Sequence, residues 1–294
     1  MLAKRQPGAR VDQDSRRGLT LIAPPLAYAM ALLAVPLVAI VIFSFWSQDY
    51  LTVDRTLTLA NYREAVTDPI YATIMGRSLW ISGTVTLVTV VLAFPVAYFV
   101  SFHVRPERKS LWLFLITIPF WTSYLLRIFL WKVILGFNGV LNSGLTGLGL
   151  IDEPLTFLLY NANAVIITLS HAFAPFAILP IYVALEKIDR SLLEASRDLG
   201  ENAVTTFARV TLPLAMPGVV AALLIVFIPT VGDYVTPAQV GGPGGLMIAN
   251  MIQTQFLGLN NAPMGATLAV IAMALVTLIA LTIAWGARRL SGGR

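Results

Sequence analysis

Residues 79–102, LWISGTVTLVTVVLAFPVAYFVSF, form a stretch without a single charged side chain. About 20 apolar residues in a helix cross the hydrocarbon core of a bilayer, so this stretch predicts a membrane-spanning helix. The whole chain has the same character, because 57% of its 294 residues are hydrophobic and only 12% are charged. Soluble domains carry about 25% charged residues, which excludes a packed water-soluble globule.

Six apolar runs of this kind occur, at 21–46, 79–102, 111–135, 162–185, 213–235 and 263–287. Each is long enough to cross a bilayer as a helix. We therefore predict an all-α, polytopic membrane protein with one six-span membrane domain, 21–287, between tails at 1–20 and 288–294. Prolines inside the runs predict kinks rather than helix ends, since neighbouring helices can satisfy the freed backbone groups. They are Pro36, Pro95, Pro119, Pro175 and Pro229.

Basic side chains are concentrated in alternate segments. Lys plus Arg number five in 1–20, three in 103–110, four in 187–212 and three in 288–294, which is fifteen of the chain's twenty. The positive-inside rule places these segments and both termini in the cytoplasm. Ser15-Arg16-Arg17-Gly18-Leu19 also resembles a twin-arginine export signal. The apolar run after it is longer than a signal-peptide core and five more runs follow, so an uncleaved first span is expected.

The sequence lacks the residues that several classes of function require. There is no cysteine for a disulfide or thiolate site, and no Gly-Lys dipeptide for a Walker A phosphate loop. His103 and His171 lie far apart without metal-ligand spacing, and His171 is expected to be a hydrogen-bonded packing residue. The basic segments lack an interleaved aromatic platform for nucleic acid. We expect no metal, no cofactor of the chain's own, no nucleic-acid binding and no enzymatic activity.

The predicted cytoplasmic loop 187–212 has helical structure of its own. Helical spacing places four residues on one face, namely Leu192, Ala195, Ser196 and Leu199. Asp189 or Ser191 can cap the helix start, and Gly200 suits the left-handed residue that ends it. A second short helix is expected over 202–210, with Pro213 opening the next span. Composition alone favours an amphipathic helix that lies in the lipid interface.

The spacing within this loop is more specific. Glu194-Ala195-Ser196, three residues, Gly200, nine residues and Val210-Thr211-Leu212-Pro213 resembles the Glu-Ala-Ala loop of ABC importer permeases. That pattern is Glu-Ala-Ala, three, Gly, nine, Ile, one, Leu-Pro, and the departures are Ser196 and Val210. Other motifs resemble the spermidine/putrescine permease branch, and they lie at 61–63, 77–79, 119–127, 232–237 and 241–243. Permeases for ferric iron and opines share parts of these motifs, so the substrate stays open.

The resemblance implies partners and a mechanism. In that family two permease subunits form the pore, two ATPase subunits hold ATP and Mg²⁺ beneath it, and a periplasmic binding protein delivers the substrate. The loop helix would insert into a cleft of the ATPase, with its apolar side chains in the cleft and its charged ones at the rim. For Glu194, the alternative is an acid that compensates the helix dipole. The coupling set is Leu192, Glu194, Ala195, Ser196, Arg197, Asp198, Leu199 and Gly200.

Charged side chains inside spans mark a candidate substrate pathway, because each costs roughly 2.5–3.5 kcal/mol at a helix centre on insertion scales. Arg127 and Asp233 both fall toward the outer leaflet at 1.5 Å per residue. Snorkelling or a structural pair between them is one interpretation. The other is that Asp233 faces a cavity and gates or binds a cation. Trp121, Tyr124 and Tyr234 would then contact ammonium groups through their ring faces.

Two other classes of membrane protein fit the sequence less well. A gradient-driven secondary transporter of an organic cation needs ion sites near the membrane midplane, where Asp233 does not lie, and it leaves the loop motif without a role. A membrane enzyme lacks its metal or nucleophile constellation. The expected function is a polyamine permease subunit in a bacterial inner membrane, paired with a second and different permease.

Overall fold

The computed structural model describes residues 8–50 and 52–291. Within them, six helical stretches are long and apolar enough to cross a membrane: Thr20–Ser44, Pro69–Phe102, Tyr124–Gly147, Ala162–Glu186, Ala203–Val231 and Ala262–Ala287. The predicted all-α fold with six spans is therefore confirmed.

Thirteen helices and one hairpin follow each other along the described residues. In chain order they are α1 (Gly8–Ser44), β1 (Ser47–Asp49), β2 (Thr52–Asp54), α2 (Ala60–Thr67), α3 (Pro69–Phe102), α4 (Pro106–Thr117), α5 (Tyr124–Leu135), α6 (Val140–Gly147), α7 (Ala162–Glu186), α8 (Arg190–Asp198), α9 (Ala203–Thr206), α10 (Leu212–Val231), α11 (Gly242–Gly245), α12 (Ile248–Gln253) and α13 (Ala262–Ser291). Short 3-10 turns lie at Ile118–Trp121 and Thr156–Leu158, and π turns at Phe207–Thr211, Pro237–Gly241 and Thr254–Gly258. The strands β1 and β2 pair antiparallel, with Ser47 opposite Asp54.

The third predicted run is broken, and the expectation of a mere kink at Pro119 is wrong. A 3-10 turn at Ile118–Trp121 and the extended residues Thr122 and Ser123 separate α4 from α5. Pro119 supplies no backbone N–H and its ring crowds the preceding turn. The Thr122 hydroxyl then donates to the Pro119 carbonyl at 2.7 Å and holds the bend. The other four prolines lie inside continuous helices.

Several helices begin earlier than their apolar runs, and α1 already begins at Gly8. The helix α3 begins at Pro69, where the Asp68 side chain accepts a hydrogen bond from the Ile70 N–H at 2.9 Å. The expected helix over 202–210 is not separate from the next span. It begins as α9 and continues through the π turn at Phe207–Thr211 into α10, so the helical stretch runs unbroken to Val231.

The core is built around α7, which packs against both α3 and α10. Its fully buried side chains include Leu169, Ile181 and Leu185. Close approach of α7 and α10 depends on Gly218, since a Cβ there would lie 2.5 Å from the Pro180 carbonyl oxygen. The first helix, α1, packs on α13 at the edge of the bundle.

Candidate functional site

The helix α8 of the loop has the ends that its sequence predicts. The Asp189 carboxylate accepts a hydrogen bond from the Ser191 N–H at 3.0 Å. Hydrogen bonds from the backbone N–H and the hydroxyl of Ser191 lower the pKa of Asp189 from its usual value. At the other end Gly200 has a φ of +84°, which glycine adopts without steric cost. The predicted Asp189 cap and the left-handed Gly200 are confirmed.

The structure leaves α8 projecting from the rest of the chain, because none of its residues is buried. Leu199, just past its end, is 85% exposed and Leu192 is 47% exposed. Most of the coupling set is exposed with them, namely Glu194, Ala195, Arg197, Asp198 and Gly200. Ser196 differs from its predicted face, since it is partly buried and turned toward the chain. An exposed apolar ridge flanked by charges suits insertion into a cleft of another protein.

The base of the loop is tied to the corner between α3 and α4. Arg190 donates to the Ser101 carbonyl at 2.9 Å and its guanidinium lies over the Phe102 ring, 5.4 Å from the centroid. Glu186 accepts from Lys109 Nζ at 2.6 Å and from the Ser101 hydroxyl at 3.1 Å. The α3–α4 corner and the base of the loop both carry basic residues that the charge count assigns to one side of the membrane. Sequence reasoning missed these contacts, because the count does not specify partners.

The far side of the loop is tied to α9. Asn202 caps α9 by accepting from the Thr205 N–H at 2.9 Å. The hydroxyls of Ser196 and Thr206 lie 2.9 Å apart. An ion pair between Arg209 and Glu201 measures 2.9 Å at the surface. The loop is thus a helix, a glycine turn and a second helix with contacts across the turn.

The second candidate site is centred on Asp233, which is 9% exposed. One carboxylate oxygen accepts from the N–H groups of Val235 and Thr236 at 2.8 and 3.2 Å. The other accepts from the hydroxyls of Tyr124 and Thr236. Asp233 therefore caps the helical segment that begins at residue 235, in the manner of a helix N-cap. The Asp-x-x-Thr spacing was the signal in the sequence for this cap, and the charge-based interpretation missed it.

The proposed structural pair between Arg127 and Asp233 is wrong. Among the described residues the ion pairs are Lys109–Glu186 and Arg209–Glu201. Arg127 is 8% exposed and donates to the Ala172 carbonyl at 3.4 Å. Its guanidinium lies over two rings, 5.7 Å from the Phe120 centroid and 5.6 Å from the Tyr124 centroid. Tyr124 is the shared neighbour of both charged groups, because its hydroxyl donates to Asp233 and its ring lies beside Arg127.

The remaining pathway residues lie outside this buried cluster. Trp121 is 77% exposed and its ring meets Phe114 edge-on. Tyr234 is 45% exposed, and its carbonyl accepts from the Asn250 amide at 2.7 Å. The structure thus brings Tyr124, Arg127 and Asp233 together and leaves the two exposed aromatic rings apart.

The hydrogen-bonded role expected of His171 is confirmed. His171 Nδ1 accepts from the Trp131 indole N–H at 3.1 Å, and the two rings meet edge-on. The ring nevertheless lies on the exposed side of α7, which the sequence pattern did not indicate.

A bundle of six membrane-length helices with one exposed loop helix defines a polytopic membrane protein. The chain belongs to the family described as "Binding-protein-dependent transport system inner membrane component", which matches residues 26–291. It is 40% identical over 227 residues to "Spermidine/putrescine transport system permease protein PotB" of Haemophilus influenzae, covering 77% of each chain. The Escherichia coli (strain K12) protein of the same name is 38% identical over 238 residues, 81% of this chain and 85% of that one.

Solved structures give the same fold. The bacterial ABC transporter involved in the import of the acidic polysaccharide alginate superposes with a TM-score of 0.72 at 17% identity, covering 95% of this chain and 99% of that one. The resemblance to ABC importer permeases found in the loop motif is confirmed, and the chain is a transport component.

Proposed function

We propose that this chain is the permease subunit of an ATP-driven importer for a polyamine of the spermidine/putrescine class. The observation that carries the proposal is the 38–40% identity, along about four fifths of the chain, to permeases named for spermidine and putrescine transport. The chain forms half of the translocation pathway. A second and different permease subunit forms the other half, as in the branch that the motifs resemble.

Energy reaches this subunit through the loop helix α8. Two ATPase subunits bind beneath the pore, hold ATP and Mg²⁺, and receive the exposed ridge of Leu192, Ala195 and Leu199 in a cleft. Glu194, Arg197 and Asp198 pair with the rim of that cleft. The exposure of α8 supports this role, since an amphipathic helix with no cover of its own has an apolar ridge to bury. ATP hydrolysis belongs to those subunits.

The orientation follows from the charges. The segments rich in Lys and Arg, both termini among them, lie in the cytoplasm of a bacterium, and the chain spans the inner membrane. The opposite side faces a periplasmic binding protein that delivers the polyamine. The hairpin of β1 and β2 and the helix α2 lie on this periplasmic side of the chain.

The substrate passes the beginning of α5, the 3-10 turn before it and the segment after α10. Trp121 and Tyr234 offer exposed rings to ammonium groups. Asp233 acts as a gate, because its carboxylate is occupied by Tyr124 and Thr236 and becomes available to a cation only when Tyr124 moves away. Arg127 contacts the Tyr124 ring through its guanidinium.

The loop's role is tested by co-purification. The tagged chain is extracted from its native membrane in mild detergent, as wild type and as a Glu194→Ala, Gly200→Pro variant. Glu64→Ala is the control, because Glu64 is also an exposed acid but lies on α2. We expect an ATPase and a second permease with wild type and control, and no ATPase with the loop variant. Recovery of the chain alone in all three preparations contradicts the proposal and favours a gradient-driven transporter.

The gate is tested separately with Asp233→Asn. The amide keeps an oxygen for the Val235 and Thr236 N–H groups, so the cap survives while the charge is removed. We expect polyamine uptake to fall with complex assembly unchanged. Unchanged uptake in an otherwise active complex removes Asp233 from the pathway.

A further inference from the structure

One hydroxyl pair joins the loop helix α8 to the helix that follows it. Ser196 Oγ lies 2.9 Å from Thr206 Oγ1, and either hydroxyl can donate. Thr206 is 5% exposed. Ser196 is partly buried, whereas its neighbours Ala195 and Arg197 are exposed. The pair is therefore partly sheltered from water. A hydrogen bond in such surroundings is stronger than one exposed to water.

Apart from the Ser196–Thr206 bond, the described contacts at the turn between α8 and α9 are local or exposed. No atom lies within 4 Å of the place where a Cβ of Gly200 would stand. Backbone bonds such as Glu201 N–H to the Ser196 carbonyl, at 3.2 Å, close the end of α8 locally. The Arg209 side chain of the nearby ion pair is 72% exposed, and an exposed pair contributes little. The Ser196–Thr206 bond, in contrast, links α8 and α9 directly.

Beyond Thr206 the chain is continuous with a membrane span. The π turn begins at Phe207, and α10 follows it without a break. Thr206 itself is held in the helix by its N–H, which donates to the Asn202 carbonyl at 2.9 Å. A displacement of α8 that is passed to Thr206 is thus passed to α10. Single π turns inside α-helices occur frequently at functional positions.

We propose that the Ser196–Thr206 hydroxyl pair is a latch that fixes the angle between the loop helix and the fifth span. With the latch closed, movement of an ATPase bound to α8 turns α10. With the latch open, the same movement bends the turn at Gly200. The proposal rests on the proposed function. Ser196 and Thr206 are positioning residues, because they act through α8 and α10 and touch neither nucleotide nor substrate.

Four substitutions separate the hydroxyls from the shape of the site. Ser196→Ala removes one hydroxyl, and alanine is also the residue of the Glu-Ala-Ala pattern and the best helix former. Thr206→Val removes the other hydroxyl and keeps the shape, whereas Thr206→Ser keeps the hydroxyl. Thr205→Val is the matched control, because the Thr205 hydroxyl bonds Asn202 Oδ1 within its own turn, at 3.1 Å.

The readout is the number of spermidine molecules imported per ATP hydrolysed. The chain is reconstituted in proteoliposomes with its partner permease and ATPase subunits, and radiolabelled spermidine is supplied with the binding protein. We expect the ratio to fall about fivefold in Ser196→Ala and in Thr206→Val, the factor set by one neutral hydrogen bond. Thr206→Ser and Thr205→Val are expected to stay within about twofold of wild type, since each leaves the pair intact.

The double variant Ser196→Ala, Thr206→Val distinguishes a latch from a stabilising contact. Each single variant leaves one hydroxyl without its partner, which lowers thermal stability, whereas removing both polar groups is nearly neutral. The double variant should therefore have a higher thermal stability than the single variants, but its import ratio should stay low. Wild-type ratios in the single variants, or an equal fall in Thr206→Ser, overturn the latch while leaving the proposed function standing. Absence of ATP-dependent spermidine uptake by the wild-type complex overturns both.

Discussion

The glycine turn at the end of α8 allows a quantitative prediction. Gly200 has a φ of +84°, and nothing lies within 4 Å of the position of a Cβ. Replacement by alanine therefore creates backbone strain without a clash. The left-handed conformation costs a residue with a Cβ roughly 1–2 kcal/mol, which corresponds to a factor of about 5–30.

That strain is relieved when the turn opens in the free chain, and it must be restored when the loop docks. The ATPase concentration for half-maximal binding to Gly200→Ala is therefore expected to rise by the same factor, about 5–30. Asparagine tolerates the left-handed region better than alanine, so Gly200→Asn should lie between alanine and wild type. Proline fixes φ near −65° and removes the N–H that donates to the Arg197 carbonyl, so Gly200→Pro should abolish binding.

The assay is titration of the purified ATPase subunits onto the permease pair in nanodiscs. Gly144→Ala is the control, because this helical glycine also has no atom within 4 Å of a Cβ but has no positive φ. We expect the control to bind like wild type. Equal binding by Gly200→Ala and wild type would refute the argument that the geometry of this turn determines docking.

Three further substitutions follow from other contacts. Asp189→Ala removes the acceptor that caps α8, so amide protection in α8 should fall at pH 7. Because the pKa of Asp189 is lowered on folding, the cap's stabilisation of the wild type is present above its unfolded pKa of about 3.9 and is lost as pH falls through the folded value. Wild-type protection in α8, measured relative to intrinsic exchange at each pH, that stays the same on acidification to that range would contradict this. Gly218→Ala places a Cβ 2.5 Å from Pro180 O, and overpacking of about 1–3 kcal/mol should lower the thermal midpoint in detergent; an unchanged midpoint would contradict the close packing. Lys109→Glu should weaken import and Glu186→Lys in the same chain should restore part of it, because the pair is partly buried; equal import in single and double variants would show that the ion pair does not matter.

Much of the fold follows from residue patterns alone. Apolar runs of bilayer length predict the six spans, because a backbone in lipid must satisfy its own hydrogen bonds. The break at Pro119 and the early start of α3 at Pro69 could not be predicted in the same way. Both depend on local contacts, such as the Thr122 hydroxyl on the Pro119 carbonyl, that hydropathy does not contain.

The candidate site was predictable to a similar degree. The cap at Asp189 and the turn at Gly200 follow from local chemistry, so the loop helix was predicted with its ends. The charge of Asp233 indicates a cation site, but its neighbours in space, Tyr124 and Thr236, determine its contacts. The Ser196–Thr206 pair spans a turn whose geometry only the folded chain fixes.

The most direct test of the central claim is uptake of radiolabelled spermidine by proteoliposomes that contain this chain, its partner permease and the ATPase subunits, with the binding protein outside. We predict uptake that requires ATP on the ATPase side, persists when proton and sodium gradients are collapsed, and is competed by putrescine. Uptake that follows an ion gradient and continues without the ATPase subunits would contradict the account. ATP-driven uptake of a different solute, with none of spermidine, would contradict the polyamine assignment alone.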